Sequence, residues 1–332
     1  FIAIVELLAY MGQTIAFRQD LNVRENFLDT AERKESVLRL AKMLNYTPKR
    51  NIPGTGLVKF HSIRTTEEVF DSNGINLSNQ TITWNDANNT EFLEKFILIL
   101  NKAFTSLNPY GTPVKKGTLN TIPTEIYHFN VVKNQNVVYS IASTVNGAST
   151  PLELVNAIFD DSLYIKEVPP DPTDNFGILY LNDGLGNASH STGFFAYVKQ
   201  GTLSYNDFSL TVPVPNREIN ISQENINEFD VWVQTIDASG NVLDNWTKVP
   251  AVSGTSVVYN SIAQNTRKIF KVNTEADDTV TIQFADGNFG DVPYGIIRVW
   301  YRESANRQLV LKPENIGLQT VQIPYIDATN AI

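Results

Sequence analysis

Cysteine is absent from all 332 residues, which excludes disulfides, thiolate nucleophiles and thiolate metal sites. Stability must come from packing and assembly, and the absence fits folding in a reducing cytoplasm. Histidine is almost as scarce. His61, His128 and His190 stand far apart, and none belongs to a ligand pair such as His-X-X-X-His, so no metal site and no cofactor are expected. Long apolar runs are also missing. The longest, Phe92 to Leu100, is interrupted by Glu94 and Lys95 and falls short of the roughly 18 residues a membrane span needs, so no membrane partner is expected. Basic residues are in deficit, with 26 Lys and Arg against 35 Asp and Glu. The formal charge of -9 repels polyphosphate at long range, so a nucleic-acid partner is not expected either. No basic n-region stands at the front, and Phe1 is not an initiator; the chain reads as beginning inside a longer polypeptide rather than at a signal peptide. Asn-X-Ser/Thr triplets such as Asn187-Ala188-Ser189 and Asn245-Trp246-Thr247 are expected by chance in an Asn-rich chain.

What is present divides into a helical front and a β-rich remainder. Ile4, Leu7, Leu8, Met11 and Ile15 recur at three- and four-residue spacing, which predicts one helical stripe on a segment running from Ile2 toward Phe27. Asp29-Thr30-Ala31-Glu32 has the form of a capping box, so a second helix is expected from Thr30 to Leu44. Val37, Leu38, Ala41 and Leu44 would share one face of it, with Glu32, Arg33, Lys34, Glu35, Arg39 and Lys42 on the other. Two such helices bury too little surface to stand alone. Their stripes either cap the body of the same chain or enter a bundle with other chains. Val5, Ala9 and Phe17 lie off the first stripe, and so much apolar circumference is more than one neighbour covers.

From Gly56 the periodicity shifts toward two, through Leu57 to Ile63 and Ile75 to Trp84, with Asn73-Gly74 marking a hairpin. A helix is predicted from Thr90 to Phe104, with Phe92, Leu93, Phe96, Ile97, Leu100 and Phe104 buried and Asn108-Pro109 as its stop. Strands follow near Glu125 to Asn130 and Val137 to Thr144, and Pro151 to Phe159 reads as a short helix. Val168-Pro169-Pro170-Asp171-Pro172 is the best internal boundary, because consecutive prolines forbid helix and central strand. Beyond it, strands are expected at 177–181, 193–200, 207–213, 230–236, 256–259, 268–273, 279–284 and 295–301, with turns at Asp237 to Asn241 and Asp286 to Asn288. That many short strands indicate a sandwich. The fold class is α+β: a helical hairpin arm at 1–50, a mixed α/β insertion domain at 51–167 and a mainly antiparallel, sandwich-like domain at 168–332.

Constellations that carry chemistry are missing. No Gly-X-Ser-X-Gly turn occurs, and the adjacency of Ser189, His190 and Ser191 makes no triad. Gly184-Leu185-Gly186 lacks the third glycine of a dinucleotide fingerprint. Asp171, Thr173 and Asn175 alternate as in a calcium loop, but Phe176 stands where that loop needs glycine; a looser calcium site near Asp183 or Asp286 stays open. The pairs Asp160-Asp161 and Asp277-Asp278 suit solvated element ends better than a glycosidase pair. Trp84, Trp232, Trp246 and Trp300 are expected in cores, the alternative being sugar platforms. No catalytic residue is assigned.

Glu6-Leu7-Leu8-Ala9-Tyr10, then Glu25-Asn26-Phe27-Leu28-Asp29-Thr30-Ala31, Ser36-Val37 and Ala41-Lys42-Met43-Leu44-Asn45-Tyr46-Thr47-Pro48 resemble, in order and without gaps, the N-terminal helices of the inner baseplate wedge protein of T-even phages. A second patch resembles the baseplate J-like domain: Phe194 to Gly201, Pro213 to Asn216, and Phe284-Ala285-Asp286-Gly287-Asn288-Phe289-Gly290 ahead of Pro293 and Gly295. Residues 51–165 match little of it. The resemblance implies a non-enzymatic virion subunit, a homodimer within each wedge, in contact with other wedge proteins, the sheath initiator and the tail hub. Assembly in the host cytoplasm and a part in triggering contraction go with it. Within the arm, Leu7, Leu8, Met11, Ile15, Val37, Ala41 and Leu44 are the candidate interface residues. The alternative function is a carbohydrate- or receptor-binding β module of a phage tail, with glycan hydrolysis as a third class.

Overall fold

A computed structural model describes residues 2–44, 46, 52–84, 89–101, 115–119, 122–131, 137–145, 147–159, 164–174, 176–186, 188–250, 252, 267–274, 279–304, 310, 312–317 and 319–323. The chain opens with two helices, α1 (Ile2–Arg24) and α2 (Lys34–Met43). Next come β1 (Thr55–Lys59), β2 (Ser62–Arg64), β3 (Thr81–Thr83) and α3 (Asn89–Asn101). The middle is strand-rich: β4 (Lys115–Leu119), β5 (Ile122–Val131), β6 (Val138–Ile141), β7 (Thr144–Val145), β8 (Ala148–Ser149), β9 (Leu152–Val155), β10 (Ala157–Phe159), β11 (Ile165–Glu167), β12 (Phe176–Asn182) and β13 (Gly193–Gln200). The last third holds β14 (Thr202–Leu210), β15 (Glu218–Ile221), β16 (Ile226–Ile236), β17 (Val242–Asn245), β18 (Thr247–Lys248), β19 (Ile269–Thr274), β20 (Val280–Phe284), β21 (Gly295–Glu303) and the short α4 (Pro313–Ile316). The α+β class and its helix-first order are as the sequence patterning predicts.

Strand β13 organises a seven-stranded antiparallel sheet. It pairs with β1 along one edge and with β12 and then β9 along the other, and β4, β5 and β6 extend the sheet outward. Helix α3 lies on this sheet because Phe92, Leu93, Phe96 and Ile97 fall on one side of its 3.6-residue period. The Phe96 ring stacks on Phe194 of β13 with centroids 3.8 Å apart, and Phe129 and Tyr180 close round the same ring. Leu98 and Ile99 are buried as well, so more of the helix is covered than the predicted stripe. Ile316, Val321 and Ile323 return from the C-terminal end to pack against this core. The expected continuation to Phe104 and its stop at Asn108-Pro109 lie outside the described residues.

The second unit is a sandwich of two four-stranded sheets, β14-β21-β16-β17 and β15-β20-β19-β18. Alternate residues of both, including Val231, Val233, Val272, Ile282, Ile297 and Val299, share one core. All its strand pairs are antiparallel except β18 with β19. The strand expected at 256–259 lies outside the described residues.

Two expectations change. Pro151 to Phe159 is not a helix but β9 and β10, because Leu152 to Val155 sit between β13 and β6 with all four residues buried. Proline ahead of Leu-Glu-Leu favours a helical start locally, but the sheet ladder outweighs that propensity here. The units also do not divide at 168, since β12 and β13 lie beyond the prolines and still belong to the first sheet. The chain crosses at Gly201, whose φ of +110° and contact with the Glu303 carbonyl and the Arg302 stem leave no room for a side chain. The proline segment instead folds over the outer face of the sandwich, where the Pro170 carbonyl accepts from Gln234 Nε2 at 2.7 Å and Gln234 Oε1 accepts from Trp300 Nε1 at 2.8 Å.

Candidate assembly interface

The arm is held at its bend by one carboxylate. Glu25, one residue past α1, accepts from the amides of Glu32 at 3.1 Å and Arg33 at 3.3 Å, and thereby satisfies free amides at the start of α2. A hydrogen bond from Ser36, the largest influence, together with these amides and the Arg33 charge holds its carboxyl below the usual range. The box predicted at Asp29 to Glu32 is therefore not the cap, and α2 begins at Lys34 rather than Thr30. The Thr30 hydroxyl is used elsewhere, donating to the Arg24 carbonyl at 2.6 Å to close the end of α1.

No residue of α1 is buried. Leu7, Leu8, Met11 and Ile15 are between 51% and 61% exposed, and Ile4, Tyr10 and Phe17 are equally open. Of the candidate residues on the second helix, Val37 and Ala41 are half-buried, as are Leu38 and Leu40, while Leu44 stands just past the helix end and is exposed. The alternative that α1 caps its own body is not what the described residues show. Full burial of each large apolar side chain is worth about 1.5–3 kcal/mol, so the stripe carries a large unmet association energy. From Leu7 to Phe17 the helix has no charged residue at all, and nothing along that length opposes close approach by an apolar neighbour.

Elsewhere, polar groups are engaged in building loops. Asp183 is buried, and hydrogen bonds from Ser189, Leu185 and Thr192 outweigh that burial to hold its carboxyl below the ordinary range. Ser189 and Thr192 thus brace the 183–192 loop, and His190 takes no part in that brace. Asp286 accepts from the amides of Phe289 at 2.7 Å and Asn288 at 2.9 Å, which form the turn and depress its carboxyl. Among the described residues no group of three or more His, Asp or Glu side chains is arranged to hold a metal ion. Asp160-Asp161 and Asp277-Asp278 lie outside the described residues. Trp246 is buried in the sandwich core, edge-on to Phe284 at 5.1 Å with its Nε1 donating to Thr235. Trp300 is buried and Trp84 and Trp232 are half-buried, so none of the four offers an open platform for a sugar. A cleft of about 370 Å³ at the sandwich end is lined by Asp244, Trp246, Lys268, Asp291 and Tyr294, but Trp246 is only 8% exposed and the charges are neutralised in pairs, Asp244 with Lys268 and Asp291 with Arg267.

Sequence reasoning missed the Glu25 cap and a buried knot of charge between the two units, formed by Glu153, Glu167, Lys199, Asp230 and Arg302. Glu25 carries no helix-start signature, because it reaches the amides just ahead of α2 from seven and eight residues upstream.

Comparison with known proteins gives each part of the chain a separate match. A family described as the N-terminal domain of a bacteriophage baseplate protein matches residues 1–43, the whole of α1 and α2. This points to a structural role in a phage tail baseplate, beside other baseplate proteins in the virion. A search of curated proteins returned no match. The body, residues 56–331, matches the family described as the domain of unknown function DUF8360, which covers most of the chain, and the protein belongs to that family.

Proposed function

We propose that the protein is a non-catalytic wedge subunit of the inner baseplate ring of a contractile tail, and that its arm assembles by bundling with helices of other chains. The observation that carries this reading is an apolar 23-residue helix with no buried residue, inside the segment that matches a baseplate N-terminal domain. An isolated amphipathic helix is marginal in water, and its stability comes from packing. Apolar residues around most of the circumference of α1 suit a position among several helices, with a second copy of the arm and another wedge protein as neighbours. Leu7, Leu8, Met11 and Ile15 then form the packed seam, and Val37, Ala41 and Leu44 extend it along α2. The β body would contact neighbouring wedges, the sheath initiator and the hub, and contraction would act through relations between these units.

The test is removal of residues 1–50. Ring formation with co-expressed wedge proteins should be lost while the β body keeps its cooperative unfolding transition. Rings that form at normal yield from the truncated chain would overturn the reading.

A further inference from the structure

The joint between the first sheet and the sandwich is made of charge. Glu153 of β9, Glu167 of β11 and Lys199 of β13 come from the sheet side, and Asp230 of β16 and Arg302 of β21 from the sandwich. All five are buried, and Arg302 is fully so. Lys199 Nζ bonds Glu167 at 2.8 Å and also Asp230, while Arg302 bonds Glu153 and, at 2.8 Å, Glu167. Three buried carboxylates thus face two buried cations; at the edge of the seam Lys248 and Glu228, whose charges also meet at Asp230, add one of each sign, so the set keeps one excess negative charge. A buried charge without a partner is neutralised by proton uptake rather than tolerated.

Geometry selects the carboxylate. Glu167 is held by both cations. Asp230 has Lys199, the Arg302 Nε at 3.5 Å, the Asn227 side-chain amide and the nearby charge of Lys248. Glu153 makes an ion pair with one cation, Arg302, and accepts from the Leu203 amide of β14 at 3.1 Å; opposite it stand Ser140 on β6 and Lys199 on β13, and the Lys199 Nζ pairs instead with Glu167 and Asp230. Glu153 is the carboxylate of the three with the fewest ion pairs.

We propose that the knot is a one-proton latch: Glu153 takes up a proton as pH falls, the seam becomes neutral, and the sheet and sandwich hold together more tightly in acid than in alkali. Burial pushes the Glu153 carboxyl up, against the pull of Arg302. The closed joint therefore keeps its proton above 4.5, the ordinary value, whereas an opened joint, wetted by solvent, releases it there. In that window the closed form binds more protons, so its stability falls as pH rises. His128 acts in the opposite sense, since burial holds it neutral and its contribution is lost as pH falls through 6.5. A variant compared with wild type at each pH cancels that background.

The experiment is urea unfolding of the full chain between about pH 5 and pH 8, for wild type and Glu153→Gln. The variant should gain on wild type as pH rises, about tenfold in unfolding equilibrium constant for each unit by which the native carboxyl is elevated. Parallel curves, or a gap that moves the other way, would overturn the latch. Should Glu153→Gln fail to fold, infrared spectra of the wild type decide the matter. A protonated-carboxyl band that grows on acidification with a midpoint above the ordinary carboxylate range supports the latch, and its absence down to acid unfolding rejects it.

Discussion

Strand β21 and helix α1 are both rich in large apolar residues, yet six of the nine residues of β21 are buried and the other three half-buried, while α1 is buried nowhere. The difference lies in partners rather than composition. β21 is paired on both edges, by β14 and β16, and its inner side chains meet the opposite sheet. α1 carries an apolar stripe and, among the described residues, is buried against no surface of its own chain. On the proposed reading, the body supplies its own core and the arm is one component of a bundle that other polypeptides complete.

Substitution in the two regions should separate these roles. The largest effect is expected at Phe194, fully buried and stacked on Phe96. Phe194→Ala should cost about 3–5 kcal/mol in urea unfolding, while Leu8→Ala, at a position 61% exposed, should shift the isolated chain by no more than about 0.5 kcal/mol and show its cost only in assembly. Equal losses in the isolated chain would erase the distinction. A smaller effect is expected at Gly177, where an added β-carbon would run into the His128 ring and lie 2.9 Å from Asn156 Oδ1. Gly177→Ala should destabilise by about 1–3 kcal/mol, and a second change, His128→Ser, should recover part of the loss in thermal unfolding. The smallest effect belongs to the arm's own bend. Because the Glu25 carboxyl is depressed in the folded chain, its contribution is present above 4.5 and fades as pH falls toward the depressed value. Glu25→Gln should lower far-ultraviolet helicity slightly at neutral pH and remove that acid-side change; helicity indifferent to the substitution at every pH would exclude Glu25 as the cap.

Local patterns were enough for the parts of the molecule that local patterns decide. β13 runs over the residues predicted for it, 193–200, because Phe194, Ala196 and Val198 alternate into the core beneath α3. α1 was legible from the three- and four-residue spacing of Ile4, Leu7, Leu8, Met11 and Ile15 in its first half. β9 was misread because its residues are good helix formers whose state is set by strands on either side. The knot was invisible because Glu153 and Arg302 are 149 residues apart, and a lone Glu or Arg in a strand carries no sign of where its partner lies. The arm's candidate residues could be named from the stripe, but a stripe states only that something must cover it.

What covers it can be read from the oxidation of Met11 by hydroxyl radicals in the isolated chain and in purified tails. Met11 is 51% exposed on the free arm and should react readily there. In assembled baseplates it should be strongly protected, together with Leu7, Leu8 and Ile15. Equal reactivity of Met11 in both samples would contradict the claim that other chains complete this helix.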